Sequence, residues 1–277
     1  MSYLEHYRLR EQPFSIAVDN RFYYDSRQHA DALVRLMYAA SERKGLAILV
    51  GDVGAGKTTL ARRLLDQLDD ARYESALLII IHSAVTSEWL LKKIATQLGV
   101  QKPAADTPSV LTQLSQRLIE IHEQGKKAVV LIDEAQMLNA REVMKEFRGI
   151  LNMEIDGQKL ITFVLFGLTA LDSALSLDGP LAQRVAIRCH LQSFTEAITH
   201  DYILFRLKVA GAEHNPFTPG AIAAVHRFTE GTPRLINTLC DNALLEGFLR
   251  KKEQIDEALI QEIARDLKLA TRLPAAA

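Results

Sequence analysis

Residues 51–58 read Gly51-Asp52-Val53-Gly54-Ala55-Gly56-Lys57-Thr58. This is the full G-x-x-x-x-G-K-[ST] pattern, set between an apolar run at 46–50 and a helical pattern from 57 to 68. A strand must deliver the chain to this turn and a helix must leave it. The glycines let the backbone fold into a nest whose N–H groups point at phosphate oxygens. The following helix adds its positive end. Lys57 is placed to reach the β- and γ-phosphates, and Thr58 to offer a hydroxyl to Mg²⁺. The competing reading is a glycine-rich turn that binds nothing. The lysine, the threonine and both flanking elements weigh against it.

A second signal is Val129-Val130-Leu131-Ile132-Asp133-Glu134. Four apolar residues form a buried strand that ends in two carboxylates. Asp133 is placed to hold Mg²⁺, usually through water, and Glu134 to orient and deprotonate an attacking water. A lone pair of acids after an apolar run is commonly just a solvated strand end. Here it follows the phosphate loop with one further strand between. An acid next to the metal-holding aspartate favours hydrolysis over phosphoryl transfer to a small acceptor.

The remaining pattern is α/β. Strands are expected at 46–50, 77–82, 128–132, 161–167 and 185–191, alternating with helices at 29–41, 57–68, 87–98, 109–123 and 143–151. Nearly continuous apolar strands belong to a parallel sheet covered by helices on both faces. Residues 103–108, Pro-Ala-Ala-Asp-Thr-Pro, mark a loop. After residue 191 only helices are expected, at 195–210, 219–229, 233–251 and 255–267. Thr195 suits a helix cap, and Pro219 and Pro233 suit first turns. The expected domains are an α/β domain at 1–192, an all-helical domain at 193–268 and a disordered tail at 269–277.

Composition excludes several classes. The 277 residues are 48% apolar and 24% charged with net charge -1, so a bulk basic nucleic-acid binder is excluded, though a local basic patch is not. Only Cys189 and Cys240 occur, so neither a disulfide framework nor a cysteine-rich zinc site is in prospect, and buried thiols are expected. No apolar run reaches the roughly 18 residues that a membrane span needs. The opening MSYLEHYRLREQ lacks a signal peptide's apolar segment, so the expected compartment is the cytoplasm.

With both motifs and the helical C-terminal part in place, the chain resembles the AAA+ ATPases, and more narrowly the ExeA group, also called general secretion pathway protein A. The similarity runs over about residues 3 to 268. It is carried by Tyr3-Leu4-Glu5-His6-Tyr7, Gln12-Pro13-Phe14-Ser15, the loop 51–59 with Thr59, and residues 131–136. Leu181-Ala182-Gln183-Arg184, Gly231-Thr232-Pro233-Arg234-Leu235-Ile236-Asn237 and Leu239-Cys240-Asp241 complete it.

The resemblance implies roles. Gln12, Pro13 and Phe14 fall where relatives place a segment beside the adenine base; Phe14 as a mere helix staple is the alternative. Arg184 falls where an arginine finger reaches a neighbour's γ-phosphate, with Arg188 second because it lies within a strand. Arg234 resembles the sensor-2 arginine, against a solvent-exposed helix start. Where the family reads G-Q-P-E-L, this chain has Gly167-Leu168-Thr169-Ala170-Leu171, which would pass the sensor-1 role to Thr169. Where the family often has Asn-Pro, it has His82-Ser83, and His82 either bonds Glu134 or is a satisfied strand-end histidine. Some members continue into a membrane span and a peptidoglycan-binding region; without either, a soluble relative or the ATPase part of a longer protein is expected.

The implied function is an ATP- and Mg²⁺-dependent switch working as a homo-oligomer, ring or filament. The family suggests secretion-system or pilus assembly through a membrane-protein partner. The alternative is a DNA-associated transposition regulator of the TniB or TnsC type. Arg141, Lys145 and Arg148 recur at helical spacing and would suit DNA, but Glu142 and Glu146 interleave with them as on an ordinary solvated face. A nucleotide-binding scaffold with little turnover is a third reading.

Overall fold

A computed structural model describes residues 2–17 and 19–269. The expected tail therefore lies outside the described residues except for Leu269. That residue is buried, and its N–H donates to Ala264 O at 2.8 Å.

Contacts divide the chain into two compact units. One is Arg27–Val53 with Lys57–Leu191; the other is the chain up to Ser26, Gly54–Gly56 and the chain from Gln192 on. This differs from the expected boundary, because residues before 27 group with the helical part. The cause is apolar burial: Tyr7, Leu9, Phe14 and Phe22 all belong to the helical core.

The short α1 (Tyr3–His6) and a 3₁₀ turn at Asn20–Phe22 fall outside the α/β unit, which begins at Arg27. The elements of the α/β unit are α2 (Arg27–Ser41), β1 (Leu46–Gly51), α3 (Lys57–Gln67), β2 (Tyr73–Ile79), α4 (Ser87–Gln97), α5 (Thr107–Glu123) and β3 (Lys127–Asp133). There follow α6 (Arg141–Ile150), a hairpin of β4 (Glu154–Ile155) and β5 (Gln158–Lys159), β6 (Ile161–Gly167), α7 (Ala170–Leu175), α8 (Gly179–Ala182) and β7 (Val185–Leu191). Five strands form a parallel sheet in the order β2-β3-β6-β1-β7. β1 and β6, buried along their whole length, lie inside the sheet. β7, at one edge, alternates buried and exposed positions as a half-covered strand should. Leu46, Ile48 and Val50 join a core with residues of α4 to α8. α2 and α3 also pack against β1.

Register puts the functional ends together. Val50 pairs with Gly167 and Gly51 with Leu191, while β3 ends at Asp133 opposite Ile79. The carboxyl ends of β1, β3 and β6 thus share one edge of the sheet, the usual ligand edge of such sheets.

The helical unit holds α1, α9 (Glu196–Val209), α10 (Pro219–Thr229), α11 (Pro233–Leu249) and α12 (Glu257–Asp266). Thr195, Thr218 and Asp256 cap α9, α10 and α12 through their side chains. Between α10 and α11, Gly231 has φ 70°, and a Cβ there would lie 1.9 Å from Phe194 O. Only glycine fits this crossing. Tyr7 is buried, which pushes its phenol up to about 12, and its hydroxyl donates to Lys252 O at 3.0 Å. Cys189 and Cys240 are buried free thiols, and burial pushes both upward.

Arg206 of α9 ties the N-terminal segment down. It is buried, donates to Pro13 O (2.5 Å), Ser15 O (2.9 Å) and Tyr202 Oη (3.1 Å), and lies 4.7 Å over the Phe22 ring. Arg206→Ala removes charge-assisted bonds and a covering stem together. A loss of about 2–4 kcal/mol is expected, read from urea unfolding by circular dichroism. A loss too small to measure would show that these bonds hold nothing.

Candidate functional site

The phosphate loop starts where β1 ends. Gly54 and Gly56 take φ of 81° and 98°. Lys57 opens α3 and is buried, with Nζ donating to Gly51 O at 2.9 Å and Asp52 O at 2.8 Å. The next residue crosses to β3: Thr58 Oγ1 donates to Asp133 Oδ2 at 2.6 Å, and Asp133 is 2% exposed. A helix start and a strand end thus place two hard oxygens side by side. That donor set fits Mg²⁺, which takes one or two protein oxygens and keeps several waters. Among the described residues there is no cluster of three or more metal-binding side chains, and none is needed for such a site.

Glu134 follows in the left-handed region, φ 56° and ψ 34°, its N–H donating to Asp133 Oδ1 at 2.9 Å. Left-handed backbone costs a non-glycine residue roughly 1 kcal/mol. It turns the chain sharply, and Ala135–Met137 make one 3₁₀ turn. The Glu134 carboxylate accepts from Gln136 Nε2 at 2.5 Å, and Gln136 Oε1 accepts the Leu168 N–H at 3.0 Å. Sequence reasoning passed over Gln136. The available signal was its place two residues after the candidate base, within reach across a tight turn.

Several expectations change. The Phe14 ring is 1% exposed and meets Phe217 edge-on at 6.0 Å, so it is core and not open to a base. Pro13 is buried too, its carbonyl taken by Arg206, while Gln12 is exposed. The His82 ring lies 5.9 Å from Trp89 and the Glu134 carboxylate is engaged by Gln136, so the proposed His82–Glu134 bond is replaced. Thr169 is exposed at the cap position of α7 without a capping bond. The polar contact at the end of β6 comes from Gln136 instead.

Arg184 precedes β7, whose Val185 pairs with Leu46. It therefore stands at the amino edge of the sheet, opposite Asp133. Six residues of β1 separate the two edges, about 20 Å at 3.3 Å per residue. Its Nη1 donates to Asn152 Oδ1 at 2.6 Å and Arg148 O at 3.3 Å. With Lys44, Gly45, Leu46, Leu151 and Lys159 it lines an open cavity of about 290 Å³. Arg188 is exposed on β7 and pairs with Asp172. Arg148 Nε is 3.6 Å from Asp178 Oδ2, which breaks the Arg141-Lys145-Arg148 line.

In the helical unit, Arg234 is an exposed residue in the first turn of α11. Its N–H donates to Gly54 O at 3.3 Å, and a Cβ on Gly54 would lie 2.8 Å from Arg234 Cβ. No helix among the described residues is long and apolar enough to cross a membrane.

A family model described as an AAA domain matches residues 40–175. General secretion pathway protein A of Aeromonas hydrophila is 37% identical over 257 residues, covering 91% of this chain and 46% of that protein. The chain thus spans just under half the length of that relative. Solved structures with the same fold include the Aeropyrum pernix ORC2 protein in ADPNP-ADP complexes, with TM-score 0.69 and 18% identity over 92% of this chain and 71% of that one. Cdc6p from Pyrobaculum aerophilum has TM-score 0.67 and 18% identity over 95% and 74% of the two chains. The Thermotoga maritima RuvB Holliday junction branch migration motor has TM-score 0.60 and 19% identity over 92% and 73%. At such identities the likeness establishes the AAA+ fold.

Proposed function

The chain carries an AAA domain and is a homologue of general secretion pathway protein A, and on that premise we propose that it hydrolyses ATP at a site completed by a second copy of itself. The observation that carries this reading is the Thr58–Asp133 pair with Glu134 anchored beside it. The loop residues Gly51, Asp52, Val53, Gly54, Ala55, Gly56 and Thr59 cradle the phosphates with Lys57. Thr58 and Asp133 would hold Mg²⁺, which when bound would supply positive charge beside the phosphates. Glu134 takes the proton from the attacking water. Arg234, in the first turn of α11, takes the sensor-2 role that the family resemblance gives it. Arg184 serves the neighbour, because about 20 Å of strand parts it from its own Asp133.

The relationship to a general secretion pathway protein supports work on an envelope assembly through a membrane partner. The DNA-binding alternative has less support, since Arg148 is drawn to Asp178.

Steady-state ATPase activity against protein concentration tests this reading, with and without duplex DNA. Activity per chain should rise with concentration and be indifferent to DNA. Flat activity per chain would remove the shared site. Strong, salt-sensitive stimulation by DNA would move the function to nucleic acid.

A further inference from the structure

We propose that Gln136 is the positioning residue for Glu134, fixing its carboxylate and tying it to the end of β6. The proposal rests on the ATPase reading and extends it to a residue with no assigned role. Three observations carry it. First, both ends of the Gln136 amide are engaged: Nε2 donates to Glu134 Oε2 at 2.5 Å and Oε1 accepts the Leu168 N–H at 3.0 Å. The orientation is forced, because a backbone N–H can only donate and a carboxylate can only accept. Second, Glu134 sits on left-handed backbone, so its side chain leaves the strand at an angle that β3 alone does not set. Third, β6 ends in a residue without a side chain. A Cβ on Gly167 would come within 2.8 Å of Gln136 Oε1 and 3.2 Å of Leu171 Cδ2. The strand end is cut away where the amide docks.

The chemistry follows. A carboxylate with one oxygen held by a donor presents the other in a fixed direction. A base must stand within hydrogen-bond reach of the water it deprotonates, and small misplacements cost large factors in rate. Any shift of the β6 terminus at Leu168 reaches the Glu134 carboxylate through one amide. In this chain Gln136 supplies the polar link that Thr169 and His82 do not make.

The test compares Gln136→Leu with the unsubstituted chain. Leucine keeps the bulk and can neither donate nor accept. The expected result is a fall in kcat of about 10- to 100-fold, with KM for ATP and the affinity for a non-hydrolysable ATP analogue unchanged. Gly167→Ala, which crowds the amide without removing it, should lower kcat in the same direction, and it serves if Gln136→Leu fails to fold. The decisive arm is a double-mutant cycle in single-turnover conditions. If Gln136 acts through the Glu134 carboxylate, adding Gln136→Leu to Glu134→Gln slows hydrolysis no further. Additive losses, a raised KM at constant kcat, or unchanged kcat in both single variants would each overturn the proposal. An unsubstituted chain that never turns over ATP would instead overturn the ATPase reading and take this role with it. That outcome is distinct from an active chain indifferent to Gln136.

Discussion

Glu134→Gln is expected to stop turnover while ATP stays bound. The substitution keeps the side chain's size and removes its ability to take a proton, so hydrolysis should fall by about 10²–10⁴-fold. Binding should persist, because the loop, Lys57, Thr58 and Asp133 are untouched. Nucleotide recovered from the variant after gel filtration should then be ATP and not ADP, and oligomers formed with ATP should outlast those of the unsubstituted chain. The site geometry supports this separation. Asp133 meets Thr58 through Oδ2 and the Glu134 N–H through Oδ1, so the putting of a glutamine at 134 alters neither bond. An unchanged hydrolysis rate would remove Glu134 from the reaction.

Arg184→Ala is expected to lower activity by about 10³-fold, the lower end for an arginine that covers transition-state charge. The loss should leave ATP binding by the single chain intact. A mixing experiment gives the stronger evidence. Arg184→Ala chains keep a sound phosphate loop, while Lys57→Ala chains keep a sound Arg184. Each variant alone should be nearly inactive, and the mixture should regain part of the activity. A mixture as inactive as its components would place Arg184 outside the neighbour's site. The arginine's bonds to Asn152 and Arg148 are local to its own edge of the sheet. Their loss should cost the fold about 1 kcal/mol, which melting curves can separate from the kinetic effect.

Much of this molecule was legible in its residues. The loop 51–58 lies between β1 and α3, and β6 and β7 have the expected bounds. Strong periodicity and an obligatory turn explain these. Other elements resisted for physical reasons. β2 was expected at 77–82 and runs Tyr73–Ile79. The apolar run misled: Ile81 is 84% exposed past the sheet's end, while Glu74 inside the strand is answered by Arg117 and Lys126. α5 begins two residues earlier than expected, because Asp106 caps it and Pro108 sits in its first turn. The hairpin β4–β5 has strands too short for any pattern, although its Asp156-Gly157 turn is a hairpin signal. At the site, spacing marked Lys57, Thr58, Asp133 and Glu134. It could not show that Phe14 is core, which depends on Phe217, or that the Gln136 amide is held from its other end, which depends on the Leu168 N–H.

The Arg206 clamp has a practical consequence for shortening the chain. A version starting at α2 would look like a clean cut before the first long helix. It would strip the helical part of Tyr7, Leu9, Phe14 and Phe22, four side chains of its core. It would also leave a buried guanidinium without the carbonyls of Pro13 and Ser15. The first two dozen residues are therefore a piece of the C-terminal half supplied from the other end of the chain, and a chain shortened past them should aggregate.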